Sequence, residues 1–298
     1  MPEKKLKIWF TDFWKGFNPY DNYFSRILTK HFLINISEEK PDLLIHSVFG
    51  TNYLKYKCIR ICFTGENRRP DFRKSDYHIG FDYIDNPRYL RWPLFLLYYN
   101  PELLLQKNLE PVKKKTRFCS FVVSNDLAKE RIDFFHKLNS IKKVDSGGNF
   151  LNNVGGPVKD KIKFIKESKF NIAFENESYP GYTTEKIYEA FLARTIPIYW
   201  GNPKIATDFN SKAFIHASNF KNFSELIDYI IHIDSDNELY SRYLQESPLI
   251  GNKVQPNFYK SKLVEFFQIV IEQIGKKPPV ALRRKISVFY LMRYFTNS

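Results

Sequence analysis

The chain has 298 residues, of which 43% are hydrophobic, enough for two globular domains with a sizeable core. Its 46 basic against 32 acidic residues give a net charge of +14, which favours nucleic acids, anionic membranes or phosphorylated small molecules without choosing among them. The three cysteines, Cys58, Cys62 and Cys119, are too few for a disulfide framework and are expected to be reduced. No signal peptide and no membrane-spanning run is recognisable, so we expect a cytoplasmic location.

Short apolar segments separated by polar and turn-forming residues make up the first part of the chain. The strand-like runs are LKIWF, DLLIHSVF, CIRICF and YHIGFDY, and helical spacing occurs around YDNYFSRILTKHF. Near LQKNLEPVKKKTR the hydrophobic pattern gives way to charge and a proline. We therefore predict an N-terminal α/β domain over residues 1–112.

Strands and helices alternate regularly in the second part of the chain. The predicted strands RFCSFVV, KVDSGG, FNIAF and TIPIYW are separated by the predicted helices LAKERIDFFHKLNSI, VKDKIKFIKESK and TTEKIYEAFLA. This alternation predicts a Rossmann-like domain with a parallel sheet over residues 113–275. Such sheets bind ligands beyond the carboxyl ends of their strands, so the candidate loops are SNDLAKER, SGGN and ENESYPGYTTEK.

The end of the chain is mostly helical by pattern. The predicted helices are FSELIDYIIHI, NELYSRYLQES and YKSKLVEFFQIVIEQI. Residues 276–298 form a tail with six Lys or Arg residues and no acidic residue, interleaved with apolar side chains. Two interpretations stay open, an amphipathic tail on an anionic membrane surface or a packing helix with a solvated basic face.

A cation stands at a helix start, where electrostatics disfavours it. In FNIAFENESYPGYTTEKIYEAFLARTIPIYWGNP, Thr183 is the candidate N-cap and Lys186 lies in the first turn. The unpaired N–H groups there make a cation cost a few tenths to about 1 kcal/mol unless an anion neutralises it. The apolar stripe of the helix turns Glu185, Lys186 and Glu189 away from the core. Glu185 suits a helix start whatever the function, but Lys186 predicts an anionic ligand.

A second cation, Arg131, lies early in the helix after FVVSN, where Ser124 and Asn125 offer further donors. A single arginine at such a place is usually solvated surface. Two cations at neighbouring loops of one parallel sheet instead favour a pair that binds a diphosphate, the predicted diphosphate clamp. Neither GxxxxGK[ST] nor GxGxxG occurs, which argues against a P-loop or dinucleotide fingerprint.

The long stretch from Phe170 to Pro203 closely resembles the signature of the alpha-1,3/1,4-fucosyltransferases, glycosyltransferase family ten. CFTGENRRPDFRKSDYHIGFDYIDNPRYLRWPL and FCSFVVSNDLAKERIDFFHKLN resemble two further stretches of that family, so similarity spans roughly Cys58 to Phe220 in the right order. The resemblance implies an α/β fold of GT-B type, with two Rossmann-like domains facing a cleft and C-terminal helices. It also implies inverting transfer of L-fucose from GDP-fucose, with no catalytic metal and no cofactor.

The resemblance also assigns roles to individual residues. It matches Glu66 of TGEN to the general base, and Glu185 to a residue near the fucose and ribose. The residues that match donor contacts are Arg131 and Lys186 at the diphosphate, with Asn176, Tyr182, Ser124 and Asn125. From the residues alone, Glu66 is more typical of a surface carboxylate. The expected acceptor is a hydroxyl of a GlcNAc-containing glycan, with α-1,3 linkage favoured.

Two other functions are weighed against this one. The closer alternative is a GT-B transferase that uses another nucleotide sugar. The more distant one is a non-catalytic protein that binds polyanions through its charge and aromatic side chains. We expect no nucleic-acid partner, because the aromatic residues fall mostly at core spacing and no basic run is interleaved with stacking platforms.

Overall fold

The computed structural model describes residues 5–107 and 114–282. Within these residues the chain forms two compact units. The first unit ends at Trp92 and takes in the chain again from Tyr259, and the second covers the described part of Pro93–Phe258. Each unit is built around its own parallel sheet.

The first unit contains a six-stranded sheet in the order β2-β1-β3-β4-β5-β6. Its strands are β1 (Leu6–Thr11), β2 (Ile34–Ile36), β3 (Leu43–His46), β4 (Ile59–Phe63), β5 (Tyr77–Gly80) and β6 (Tyr89–Arg91). All neighbours pair in parallel, and every residue of β3, β4 and β5 is buried. A parallel sheet covered on both faces requires such near-continuous apolar strands.

The second unit contains a five-stranded parallel sheet in the order β11-β10-β9-β7-β8. Its strands are β7 (Arg117–Phe121), β8 (Val144–Ser146), β9 (Ser168–Phe174), β10 (Ile196–Trp200) and β11 (Ile215–His216). The chain passes from β7 to β8 on one side and then returns to β9 on the other. This reversal creates a topological switch point between the carboxyl ends of β7 and β9, where open α/β sheets bind their ligands.

Helices connect and cover the strands. Those of the described chain are α1 (Tyr23–His31), α2 (Phe95–Tyr98), α3 (Leu103–Lys107), α4 (Lys129–Ile141), α5 (Lys161–Lys166), α6 (Glu185–Leu192), α7 (Phe223–Ser235), α8 (Asn237–Gln245) and α9 (Lys260–Glu272). In the second unit, α4 packs on the sheet through stacked rings. Phe134 lies 4.7 Å from Phe174, and Phe135 lies 4.9 Å from Phe121, measured between ring centroids. These pairs fix α4 beside the switch point.

Helix α9 belongs to the first unit by its contacts. The ring of Phe267 lies edge-on to Phe24 of α1 at 6.2 Å, and Phe266 lies edge-on to Tyr77 of β5 at 6.0 Å. The sequence prediction assigned residues 113–275, which include α9, to the second domain. The predicted boundary at residue 112 lies outside the described residues, as do positions 283–298 of the predicted tail. Among the described helices, none is long and apolar enough to cross a membrane.

The two parallel sheets confirm the α/β prediction, and the four strand-like runs of the first part correspond to β1, β3, β4 and β5. Strands β2 and β6 have three residues each and were not predicted, because so few residues carry no periodicity. Helix α4 begins at Lys129, two residues later than its apolar pattern suggested, and Leu127 is 80% exposed. The cysteines are free, and Cys62 and Cys119 are buried.

Candidate active site

The candidate site lies at the switch point of the second sheet. Ser124 and Asn125 follow β7, Glu175 and Asn176 follow β9, and Gly201 follows β10. Because carboxyl ends of parallel strands meet at one edge, the three loops converge there. Helix α6, which begins at Glu185, starts at the same edge.

Glu175 is a buried carboxylate that connects two elements at this edge of the sheet. Its side chain has no solvent exposure, and it accepts three hydrogen bonds. Oε1 accepts from the backbone N–H of Thr184 at 2.7 Å, and Oε2 accepts from the Thr184 hydroxyl at 2.6 Å and from Lys186 Nζ at 3.0 Å. A buried carboxylate is tolerable only with such donors. Glu175 therefore joins the end of β9 to the start of α6.

Glu175 already supplies Lys186 with an anion, so the place of Lys186 at a helix start does not by itself require an anionic ligand. The Lys186 side chain is 14% exposed, and its Nζ also donates to the Thr184 hydroxyl at 2.7 Å. Burial lowers the pKa of Lys186, but the nearby carboxylates of Glu175 and Glu185 outweigh it and raise the pKa. An ammonium has three N–H donors, so two serve Glu175 and Thr184 and a third remains for a ligand.

Glu185 lies in the first turn of α6, partly exposed, with Oε1 3.8 Å from Lys186 Nζ. Burial raises the pKa of Glu185, but Lys186 and Lys161 outweigh it and hold the pKa below its ordinary value. The predicted N-cap was wrong: the cap residue is Thr184, and its side chain makes no capping bond. Thr183 is buried instead, and its hydroxyl accepts from Asn202 Nδ2 at 3.1 Å.

The predicted outward orientation of Glu189 is also wrong. Its carboxylate is buried, accepts from the Tyr99 hydroxyl at 2.9 Å, and pairs with Lys161 at 2.5 Å. The segment after Pro93 covers this face of α6, and the ring of Tyr99 stacks on Tyr188 at 5.0 Å. Burial raises the pKa of Glu189, against the opposing effect of Lys161. The helix is therefore packed on more sides than its apolar stripe indicated.

Arg131 is buried, with 1% exposure, rather than solvated. Its Nη1 donates to Asn176 Oδ1 at 2.8 Å and its Nη2 to the Asn125 carbonyl at 2.9 Å. The guanidinium thus ties together the loops that flank the switch point. Burial lowers the pKa of Arg131, against the attraction of Glu175. Its Nε is buried and has no hydrogen-bond partner among the described residues.

The remaining predicted donor contacts lie in the same loops. The Ser124 hydroxyl accepts from Asn149 Nδ2 at 2.9 Å, which links the loop after β7 to the loop after β8. Tyr182 is 2% exposed, and its carbonyl accepts from the Tyr199 hydroxyl at 3.4 Å. The structure therefore brings Ser124 close to the switch point and buries Tyr182, in the loop after β9, beside Tyr199 of β10.

Glu66 lies in the first unit, in the loop after β4, and is exposed. Thr64 fixes this loop locally: the Glu66 backbone N–H donates to Thr64 Oγ1 at 3.0 Å, and the Thr64 hydroxyl donates to the Glu66 carbonyl at 3.0 Å. These two hydrogen bonds hold the backbone of the loop in place. The Glu66 side chain is left exposed beyond the end of β4.

Glu175, Gly201 and Asn202 are the structural residues of the site that sequence reasoning missed. A side chain at Gly201, where φ is 152°, would place its first carbon 2.7 Å from Glu175 Cβ, so only glycine fits. Asn202 is fully buried, and its Oδ1 accepts from the Gly181 N–H at 2.7 Å. The signal that could have found them was their position, because Glu175 and Gly201 come directly after strands and Asn202 follows Gly201.

Acidic, histidine and cysteine side chains form no group of three or more suited to a metal ion within residues 5–107 and 114–282.

Two family models match the chain. Residues 8–98 match the N-terminal domain of alpha-(1,3)-fucosyltransferase FucT, and residues 112–253 match the C-terminal part of glycosyltransferase family 10 (fucosyltransferase). The chain is 36% identical to the alpha-(1,3)-fucosyltransferase FucT of Helicobacter pylori, over 90% of this chain and 66% of that protein. It is 34% identical to the putative fucosyltransferase R654 of Acanthamoeba polyphaga mimivirus, over 55% of this chain and 28% of that protein. The chain thus spans just under two thirds of the first relative and less of the second.

Among solved structures, the chain is similar to the crystal structure of an alpha1,3-fucosyltransferase with GDP-fucose. The TM-score is 0.77 at 33% identity, and the match covers 91% of this chain and 93% of that one. This similarity confirms the predicted GT-B fold class. A crystal structure of an alpha1,3-fucosyltransferase with GDP matches with the same score.

Proposed function

Since this chain belongs to the fucosyltransferases of glycosyltransferase family 10, we propose that it transfers L-fucose from GDP-fucose to a hydroxyl of a GlcNAc-containing glycan, with α-1,3 linkage. The observation that carries the proposal is the pair of cations at the switch point, in a chain similar over 91% of its length to an alpha1,3-fucosyltransferase with GDP-fucose. The α-1,3 linkage follows the names of these relatives.

The donor diphosphate occupies the edge between β7 and β9 in this proposal. Lys186 offers its third N–H to a phosphate oxygen, and the Arg131 guanidinium adds positive charge beside it while it holds the carbonyl of Asn125 and the side chain of Asn176 in place. Charge-assisted hydrogen bonds of this kind are the stronger ones in proteins. Lysine and arginine also serve as charge partners in place of a divalent ion, so we propose metal-independent transfer.

The transfer proceeds with inversion in one displacement. The acceptor oxygen forms a bond to the anomeric carbon of fucose while the bond from that carbon to the diphosphate oxygen breaks, and the electron pair leaves with GDP. Glu66 takes the proton of the acceptor hydroxyl, which suits its exposed carboxylate at a strand end. Lys186 stabilises the growing charge on the departing GDP. Glu185, beside Lys186, contacts the sugar portion of the donor.

The test is transfer itself. The protein is incubated in EDTA with N-acetyllactosamine and each of GDP-fucose, GDP-mannose, UDP-galactose and UDP-N-acetylglucosamine. Mass spectrometry identifies the product, and methylation analysis identifies the linkage. We expect product from GDP-fucose alone, linked α-1,3 to GlcNAc. Product from another donor would favour the alternative transferase. Activity that is lost in EDTA and restored only by Mn²⁺ or Mg²⁺ would refute metal independence.

We further propose that the enzyme acts in the cytoplasm and associates with the inner face of an anionic membrane through residues 276–298. The support is the basic, acid-free composition of that tail, each basic residue adding about 1 kcal/mol of attraction before screening.

A further inference from the structure

Three aromatic side chains lie together in the loop that follows β1, at the carboxyl edge of the first sheet. The rings of Phe13 and Phe17 stack with their centroids 3.9 Å apart, and the ring of Trp14 lies edge-on, 5.6 Å from Phe13 and 5.3 Å from Phe17. The Phe17 N–H donates to the Trp14 carbonyl at 3.1 Å, which closes a turn around Gly16, whose φ is 84°. All three aromatic residues are partly exposed. We call them the aromatic platform.

The buried core of the first unit supports this platform from below. Phe10 of β1 is 1% exposed, and its ring lies 6.2 Å from Phe13 and 6.0 Å from Phe17. Phe63 of β4 is fully buried and stacks on Phe13 at 6.2 Å. Rings that are packed at the density of a protein interior have few alternative positions. The platform is therefore formed before any ligand arrives.

The backbone that leads into the platform is fixed as well. Asp12 has a left-handed φ of 58°, and its carboxylate accepts from the backbone N–H groups of Asn52 at 3.0 Å and Tyr53 at 2.7 Å. These hydrogen bonds connect the loop after β1 to the segment after β3. A left-handed φ outside glycine is uncommon, and such strained residues cluster at functional sites, where the surrounding structure holds them. A loop restrained in this way loses little conformational entropy when it binds a ligand.

The platform adjoins the loop that carries the proposed general base. Phe63, which stacks on Phe13, is the last residue of β4, and Glu66 follows it three positions later. Only β3 separates β1 from β4 in the sheet, so the two loops leave the sheet about 10 Å apart, at twice the strand spacing. An acceptor whose hydroxyl reaches Glu66 therefore brings its sugar rings to the platform.

Partly exposed aromatic rings match the chemistry of a sugar. A pyranose has a face of C–H groups and a rim of hydroxyls, and tryptophan offers an apolar face together with one N–H donor. A protein partner fits this feature less well, because a stable protein interface buries about 800 Å² on each side, far more than three partly exposed side chains supply. The occupant that fits the platform is a single sugar ring.

We propose that the aromatic platform is an acceptor subsite, in which the indole of Trp14 stacks on a pyranose ring of the glycan and directs its hydroxyl toward Glu66. Trp14 then determines which acceptors bind and takes no part in the proton transfer. The inference rests on the proposed function, since it takes Glu66 as the base. It adds the class of ligand that the first unit binds and the side chain that holds it.

Steady-state kinetics of the full-length protein with GDP-fucose and N-acetyllactosamine test the inference. Trp14→Ala should raise the KM for N-acetyllactosamine about tenfold and leave the affinity for GDP, measured by calorimetry, unchanged. Trp14→Leu keeps apolar bulk beside Phe13 and Phe17 and should have the same effect, which separates the loss of the aromatic face from a loss of stability. Trp14→Phe keeps an aromatic face and should stay within about threefold of the wild type. Leu33→Ala is the control and should change nothing, because Leu33 is 49% exposed but precedes β2, at the opposite edge of the sheet.

Binding without turnover separates this inference from the proposed function. Saturation-transfer NMR in the presence of GDP detects contact between the protein and N-acetyllactosamine with no donor sugar. We expect wild type and Trp14→Phe to saturate the sugar protons, and Trp14→Leu to lose most of this effect. That pattern in a protein that does not use GDP-fucose would refute the proposed function and support the sugar site.

Saturation or a KM that is equal in wild type and Trp14→Leu would overturn the inference. Self-association in analytical ultracentrifugation that Trp14→Leu abolishes would also overturn it, because the platform would then cover a second copy of the chain.

Discussion

Replacement of Glu175 by glutamine keeps the shape of the side chain but removes its charge. The wild-type carboxylate accepts hydrogen bonds from the Thr184 N–H, the Thr184 hydroxyl and Lys186 Nζ. Because the side chain has no solvent exposure, water cannot take the place of the carboxylate as an acceptor. A glutamine has one acceptor oxygen, and its amide would point N–H groups toward a donor. The substitution would therefore leave Lys186, only 14% exposed, without its counter-ion.

Removal of one partner from a buried ion pair costs about 3–5 kcal/mol. For a domain of this size each kcal/mol lowers Tm by about 2–4 °C, so Glu175→Gln should lower the Tm of the second unit by on the order of 10 °C. It should also weaken GDP binding, because the ammonium that offers the ligand a donor loses its fixed position. Glu238→Gln, an exposed glutamate in α8, is the matched control and should change stability by less than about 0.5 kcal/mol.

The assay is thermal unfolding by circular dichroism, followed by calorimetric titration with GDP at a temperature where both variants are folded. Gly201→Ala gives a second approach to the same network, because its added carbon would crowd Glu175 Cβ at 2.7 Å. A Tm for Glu175→Gln within about 2 °C of the wild type would refute the reasoning, because the loss of a buried counter-ion should lower the free energy of unfolding by more than that.

Three further predictions concern the catalytic carboxylates, acid stability and the tail. Glu66→Gln should lower kcat by about a hundredfold or more with GDP affinity unchanged, whereas Glu185→Gln should weaken GDP-fucose binding and turnover together. Steady-state kinetics and calorimetric titration with GDP measure both effects, and the reverse pattern would show that the two carboxylates have exchanged roles. The pKa of Glu185 in the folded protein lies below its ordinary value of 4.5, so the ionised carboxylate stabilises the fold above pH 4.5 and this stabilisation is lost as the pH falls. The difference in the free energy of unfolding between wild type and Glu185→Gln, measured by urea unfolding, should therefore shrink below pH 4.5. A difference that stays constant with pH would contradict this. Deletion of the tail from Lys276 should reduce sedimentation with phosphatidylglycerol vesicles, and equal sedimentation would show that the tail does not bind membrane.

The sequence predicted the second sheet and the loops that converge at the carboxyl ends of its strands, because strands and helices alternate there with clear periodicity. It located Arg131 and Lys186 correctly at that edge, since both follow strand ends. It did not predict their surroundings. Glu175, which lies 11 positions before Lys186, is brought to the ammonium by the path of the loop, and no local pattern encodes that distance.

Glu189 illustrates the other limit. An amphipathic helix pattern identifies its most apolar face, but it does not show whether a distant segment covers the opposite face. Tyr99, 90 positions away, covers this one. The same reasoning applies to α9, which packs on α1 through Phe267 and Phe24 although almost the whole chain separates them in sequence. Long-range packing of this kind leaves no periodic trace.

The central claim is that the switch-point cations bind GDP-fucose. The measurement that tests it most directly is calorimetric titration of GDP-fucose into wild-type protein, Lys186→Ala and Arg131→Ala, all in EDTA. We expect the wild type to bind GDP-fucose more tightly than UDP-galactose, and each variant to bind it about tenfold more weakly or worse, as the loss of a cation at the diphosphate site requires. GDP-fucose affinity equal in all three proteins would contradict the account.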